Sequence, residues 1–161
     1  MTQVRVATPD DAPAILDLHV DSIREFGPEA YDDKQVAAWA NKEDGIENYP
    51  LEADDHHLVV AEADDTVVGY GHLVPANEEV RAVYVRPSVA GRGVGSTLLA
   101  HLEGYALGQG IDTLELWASL NAVWFYERTG YRTTENATIA MRYEEEQVEL
   151  AVVKMEKTLG T

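Results

Sequence analysis

The stretch Val83-Tyr84-Val85-Arg86-Pro87-Ser88-Val89-Ala90-Gly91-Arg92-Gly93-Val94-Gly95-Ser96-Thr97-Leu98-Leu99 decides the fold. Valine and tyrosine alternating with polar residues from Glu79 predict a strand, which must stop at Pro87 because proline cannot donate to a ladder. Glycines then fall at 91, 93 and 95, and Ser96 to Leu102 carries the spacing of an amphipathic helix. Strand, glycine turn and helix N-terminus together place free backbone N–H groups and the positive end of a helix dipole at one point. That suits a pyrophosphate. The two commonest phosphate loops fit poorly: a G-x-G-x-x-G turn would need glycine where Ser96 stands, and a P-loop would need a lysine the turn lacks.

Outward from this stretch, the helix predicted over 93–109 ends at Gly108-Gln109-Gly110, and Thr113 to Ala118 reads as the next strand. A helix between these two strands predicts that they run parallel. Ser119 to Tyr131 carries a further helix, closed by Gly130, and 133–141 with 147–157 reads as a closing antiparallel pair around Glu144-Glu145-Glu146. Upstream, strands 57–62 and 66–73 flank the turn Ala63-Asp64-Asp65, and Gly69 and Gly71 within the second predict a close backbone approach. His72 lies near the end of that strand, where it could face a site. His56-His57 has no third ligand at useful spacing, so no metal is expected.

At the N-terminus, 3–7 alternates as a strand, and Thr8-Pro9-Asp10-Asp11 supplies an N-cap, a first-turn proline and first-turn acid. The helix that follows shows Ile15, Leu18, Ile23 and Phe26 on one face until Gly27-Pro28, with His19 expected at the surface or boundary. Asp32-Asp33 caps a short helix over 34–40 that sets Val36 and Trp39 on one face. Asn41 to Asp55 is acid-rich and loop-like, and is expected to be the most mobile element.

The chain has 161 residues, no cysteine, and 29 acidic against 12 basic residues, for a net charge of −17. One domain over 1–161 is expected. Disulfides, thiolate metal sites and a cysteine nucleophile are excluded. The acidic surface repels nucleic acid and anionic membrane. No apolar run approaches a membrane span and no secretory leader is seen, which predicts a cytoplasmic protein. The acid is spread in pairs along the chain and only four basic residues are lysine, a composition that predicts a halophilic cytosol.

The stretch 83–99 resembles motif A of the GNAT superfamily of acetyl-CoA-dependent N-acetyltransferases, R/Q-x-x-G-x-G/A after a strand ending V-x-P. Gly93 and Gly95 take the two demanded positions, and Ala90 stands where the family has glutamine or arginine. Ser119-Leu120-Asn121-Ala122-Val123-Trp124-Phe125-Tyr126-Glu127-Arg128-Thr129-Gly130-Tyr131 resembles motif B, with the family's asparagine falling on Ser119. Tyr31-x-x-x-Gln35-Val36-x-x-Trp39 is similar to a subset of small bacterial and archaeal members.

The resemblance implies an α+β (α/β) GNAT fold: a central mixed, mostly antiparallel sheet of six to seven strands, splayed between strands 4 and 5, with about four helices. It implies acetyl-CoA as cosubstrate without a metal, bound by Val83, Tyr84, Val85, Gly91, Arg92, Gly93, Val94, Gly95, Ser96, Thr97, Ser119, Asn121, Ala122 and Phe125. Tyr126 would act as general acid toward the thioester sulfur. Glu79 would act as base through water, with Glu115, His72 and water chains as competitors. Tyr31, Trp39, His72 and Trp117 would line the acceptor pocket. The expected reaction is direct acetyl transfer to a primary amine, a small molecule in the leading reading. A silent acyl-CoA sensor and a protein N-terminal or lysine acetyltransferase are the alternatives, and monomer or homodimer is left open.

Overall fold

In the computed structural model, residues 2–42 and 45–160 are described. β1 (Thr2–Val6) precedes α1 (Ala12–Phe26) and α2 (Asp33–Ala40), and β2 (His57–Ala63), β3 (Thr66–Val74) and β4 (Glu79–Val85) follow. Then come α3 (Val94–Gly108), β5 (Thr113–Ser119), α4 (Val123–Arg128), β6 (Arg132–Tyr143) and β7 (Glu146–Thr158). The strands form one sheet in the order β1-β2-β3-β4-β5-β7-β6. β4 and β5 are parallel, and every other neighbouring pair is antiparallel. This is the mixed, mostly antiparallel sheet expected, with element boundaries within two residues or so.

Local chemistry accounts for the turns. Asp64 and Asp65 take φ of 52° and 64°, and Glu144 and Glu145 take 50° and 67°, the left-handed pair that matches two-residue hairpins to strand twist. Asp11 accepts from the Thr8 backbone N–H at 2.8 Å and receives the Arg5 guanidinium as a fork at 2.8 Å on each oxygen. That fork holds the Asp11 carboxyl below its usual range. At α2, Asp32 accepts from the Gln35 N–H while the Gln35 side chain accepts from the Asp32 N–H, a capping box.

Each sheet face is covered by helices. α3 packs Leu98, Leu99 and Leu102 against Val59, Leu114, Leu116 and Met155. On the other face α1 sets Ile15 and Leu18 against Leu58, Val60 and Tyr70, while Ile23 and Trp39 meet Val148 and Leu150. Each such side chain contributes about 1.5–3 kcal/mol when fully buried. Gly69 and Gly71 are where α3 comes close, as their place in the strand predicted. A Cβ on Gly69 would lie 2.9 Å from Leu98 Cδ1 and 3.1 Å from the Tyr84 carbonyl oxygen.

One expectation is corrected here. His19 is not a surface or boundary residue: it is 8% exposed, with Nδ1 2.9 Å from the Tyr49 hydroxyl and 3.2 Å from that of Tyr70. Burial lowers its pKa to about 3, so the ring is neutral at physiological pH. In the segment after α2, Tyr49 is buried in the same cluster; Glu43 and Asp44 of that segment lie outside the described residues. Among the described residues, no helix is long and apolar enough to cross a membrane.

Candidate active site

The parallel pair β4 and β5 holds a single register match, Glu79 with Glu115, backed by the Glu115 N–H donating to the Glu78 carbonyl at 2.9 Å. Beyond it the strands part. β4 is held on its far side by β3, and β5 on its far side by β7 through Ser119. Each strand is therefore fixed by an outer neighbour while its inner edge is left unpaired. Backbone groups cannot stay unpaired in an apolar interior without cost, so this opening suits a ligand that carries amides of its own.

A cavity of about 380 Å³ fills the opening. Its floor is the β4 edge at Val83, Tyr84 and Val85, and one end is the glycine turn with Gly91, Gly93, Val94, Gly95 and Ser96. Gly91 and Gly93 take φ of 80° and 84°, conformations that a side chain would strain. Gly93 is the N-cap of α3, and the first helical bond runs from the Thr97 N–H to its carbonyl. The amides of Val94, Gly95 and Ser96 are thus the helix's orphan donors, facing the cavity where the dipole is positive. A Cβ on Gly95 would meet the Phe125 ring at 3.3 Å, so glycine keeps this wall close to α4.

The second wall comes from the turn after β5 and from α4: Ser119, Asn121, Ala122, Phe125 and Tyr126. Among the described residues the buried Asn121 side-chain oxygen has no partner, which leaves it an acceptor for an N–H donor. Tyr126 is 7% exposed, and burial pushes its phenol pKa well up. The residues present therefore fit a pyrophosphate joined to an amide-bearing arm: free donors at the glycine turn, a free strand edge, and an orphaned acceptor beside it.

The structure separates the remaining sequence candidates. Trp39 and Trp117 line the cavity, and Tyr31 does not. The Tyr31 hydroxyl instead donates to the Ala151 carbonyl at 2.7 Å and accepts from the Leu120 N–H at 3.0 Å, tying the α1–α2 region to the turn after β5. His72 is also outside it, buried with Nε2 2.8 Å from His56 Nδ1, and burial lowers its pKa to about 3. Arg92 and Thr97 flank the glycine turn without lining the cavity; the Thr97 hydroxyl donates to the Gly93 carbonyl at 2.9 Å. Glu79 is withdrawn from the cavity and 13% exposed, with Arg81 at 3.1 Å. Glu115 is engaged by Lys154 at 3.3 Å.

Residues that sequence reasoning did not assign to the site also line it: Ser22, Ile23 and Phe26 from α1, Glu29 after it, and Arg81, Trp124 and Arg128. The α1 residues were findable, since 22, 23 and 26 continue the apolar stripe begun at Ile15. Arg128 stacks its guanidinium over the Trp124 ring at 4.5 Å.

A sequence model of the acetyltransferase (GNAT) domain family matches residues 28–159. A crystal structure of a GCN5-related N-acetyltransferase from Rhodopseudomonas palustris is similar with a TM-score of 0.88 and 29% identity, covering 99% of this chain and 96% of that one. The PaiA N-acetyltransferase of Thermoplasma acidophilum, solved with coenzyme A, has a TM-score of 0.79 at 19% identity, covering 99% of both chains; at that identity the likeness is one of fold. An uncharacterised N-acetyltransferase of Methanocaldococcus jannaschii is 27% identical over 144 residues, 82% of this chain. The match spans 61% of that relative's length.

Proposed function

This chain belongs to the GNAT acetyltransferase family, and from that premise we propose that it is an enzyme moving an acetyl group from acetyl-CoA to a primary amine of a small molecule, by direct attack in a ternary complex. The observation that carries the reading is the β4–β5 opening, with free helix-start amides at one end and a buried tyrosine beside it. Acetyl-CoA supplies the acetyl group as an activated thioester. The Val94, Gly95 and Ser96 amides hold its pyrophosphate, aided by the α3 dipole. The inner edge of β4 at Val83 and Val85 pairs with the pantetheine amides, and the Asn121 oxygen accepts one of their N–H groups. A Val85 amide donates to the carbonyl oxygen as charge develops there.

The Tyr126 hydroxyl donates a hydrogen bond to the departing sulfur. Glu79 and Glu115 are each committed to a cation, and among the described residues the carboxylate that lines the cavity is Glu29. The amine therefore loses its proton to water in the open part of the cleft rather than to Glu79 or Glu115.

Calorimetry with coenzyme A tests the reading. Wild type is expected to give saturable heat, and Gly95→Val, which sets branches against Phe125 and Val85, is expected to weaken binding at least tenfold with unchanged far-ultraviolet circular dichroism. No saturation by wild type removes the transferase assignment.

The charge of −17 supports placing this protein in a salt-rich cytoplasm, where a Debye length of about 3 Å at 1 M screens self-repulsion. The melting temperature is expected to rise by about 5 °C between 0.1 and 2 M KCl, equivalent to roughly 2 kcal/mol at this size. An unchanged value refutes the salt-adapted reading.

A further inference from the structure

Two side chains lining the cleft, Arg81 and the Trp117 expected at the acceptor pocket, take no part in the steps above. Arg81 on β4 and Trp117 on β5 each stand two residues beyond the single register match of Glu79 with Glu115, and both line the cavity where the strands part. Trp117 lies on the strand face opposite Leu116 and Ala118, which pack toward α3. It is 42% exposed, although a tryptophan is ordinarily well buried, and Lys154 sits over its ring at 5.4 Å, fixing its orientation. The Arg81 side chain is 45% exposed, and among the described residues its carboxylate contact, Nη2 to Glu79 at 3.1 Å, leaves the rest of the guanidinium fork unengaged.

A guanidinium at this point is at odds with a polyamine acceptor, whose second ammonium would be repelled. It is also unusual for this chain, in which acidic residues outnumber basic ones 29 to 12. Among the described residues, Arg128 is the other cation lining the cavity, and it is stacked on Trp124 at the far wall. Arg81 is thus the cation available at the acceptor end. A planar fork with unengaged donors is the group that recognises a carboxylate in two-point fashion. Arg81 precedes Val83 by two residues, at most roughly 7 Å along a strand whose register shifts beside it. A carboxylate held by Arg81 is therefore within a few bonds of an amine at the thioester.

Resting on the transferase reading above, we propose that the acceptor is a free amino acid with an aromatic side chain: its carboxylate on Arg81, its ring against Trp117, its amine toward Val83. Arg81 and Trp117 are then the residues that determine specificity.

The test compares phenylalanine with phenylalaninamide, which mimics a peptide N-terminus, and with phenethylamine, which lacks the carboxyl carbon altogether. Acetylation is followed by thiol release, and binding to protein saturated with coenzyme A by calorimetry. Wild type is expected to favour phenylalanine at least tenfold in kcat/KM over both analogues. Arg81→Gln is expected to bring that ratio toward one through KM, with Arg81→Lys restoring part of it. Trp117→Ala is expected to erase the preference for phenylalanine over alanine. The inference is overturned if phenylalaninamide or phenethylamine matches phenylalanine in wild type, if Arg81→Gln leaves the ratio unchanged, or if phenylalanine gives neither turnover nor heat with protein that binds coenzyme A. Absence of heat with coenzyme A itself refutes the transferase reading as well, which separates the two failures.

Discussion

Replacing Tyr126 by phenylalanine is expected to lower kcat by about a hundredfold to a thousandfold, with coenzyme A bound as tightly as by wild type. The ring is buried in the wall of the cleft, so the substitution keeps the packing and removes one hydroxyl. Its role follows from acidity. A free phenol has a pKa of about 10 and a thiol about 8.5, and burial raises this phenol further. Complete proton transfer from Tyr126 to the sulfur would be uphill by at least about 2 kcal/mol, leaving a phenolate in apolar surroundings. A hydrogen bond that strengthens as charge gathers on sulfur needs no such transfer. Such a donor acts in the transition state and not in the ground state, which is why kcat falls while affinity holds.

The pH profile separates this role from acid catalysis. A group whose pKa is raised stays protonated below that value, so Tyr126 imposes no falling limb up to about pH 10. The rate of wild type is expected to rise with pH as the acceptor amine loses its proton, and Tyr126→Phe is expected to show the same rising limb at a lower level. A falling alkaline limb present in wild type and lost in the variant would make Tyr126 a true proton donor instead.

The parts of this site that sequence exposes are those built by neighbours in the chain. The glycine turn is local: Gly91 and Gly93 need their left-handed φ because a strand must turn into a helix within a few residues, and the run of glycines announces it. The hairpins are local for the same reason. The partners of charged side chains are not always so. Glu115 looks like a free carboxylate on its strand, and nothing in its own segment shows that Lys154 engages it, because that contact depends on β7 pairing with β5; the Arg81 partner of Glu79, two residues on in the same strand, was within local reach. Tyr31 misleads likewise. Its pattern with Trp39 suggests a pocket, yet its hydroxyl finds Leu120 and Ala151, 89 and 120 residues further on. His19 stands between these cases. Position 19 lies one turn after Ile15 on the apolar stripe, so its burial was readable, while the tyrosines that surround it come from Tyr49 and from Tyr70 on β3.

The opening between β4 and β5 depends in turn on how tightly β3 is held, and Gly69→Val is expected to be the most damaging substitution outside the cleft. Gly69 pairs with Val85 across the β3–β4 ladder, directly behind the strand edge assigned to the pantetheine arm. A Cβ there would fall 2.9 Å from Leu98 Cδ1, 3.1 Å from the Tyr84 carbonyl oxygen and 3.3 Å from Val94 Cγ1. Leu98 is fully buried and closely packed, so neither it nor the backbone at Tyr84 can yield cheaply. Overpacking of this kind costs about 1–3 kcal/mol, and the branches of valine put it at the upper end, a fall of roughly 6–12 °C in melting temperature for a chain of this size. Gly104→Ala is the control. Gly104 lies on α3 with no atom within 4 Å of a would-be Cβ, so there alanine is expected to add about 0.5–1 kcal/mol through helix propensity. If Gly69→Val melts within a degree or two of wild type, α3 does not press on β3 as the distances state, and the strand edge behind the cleft has another support.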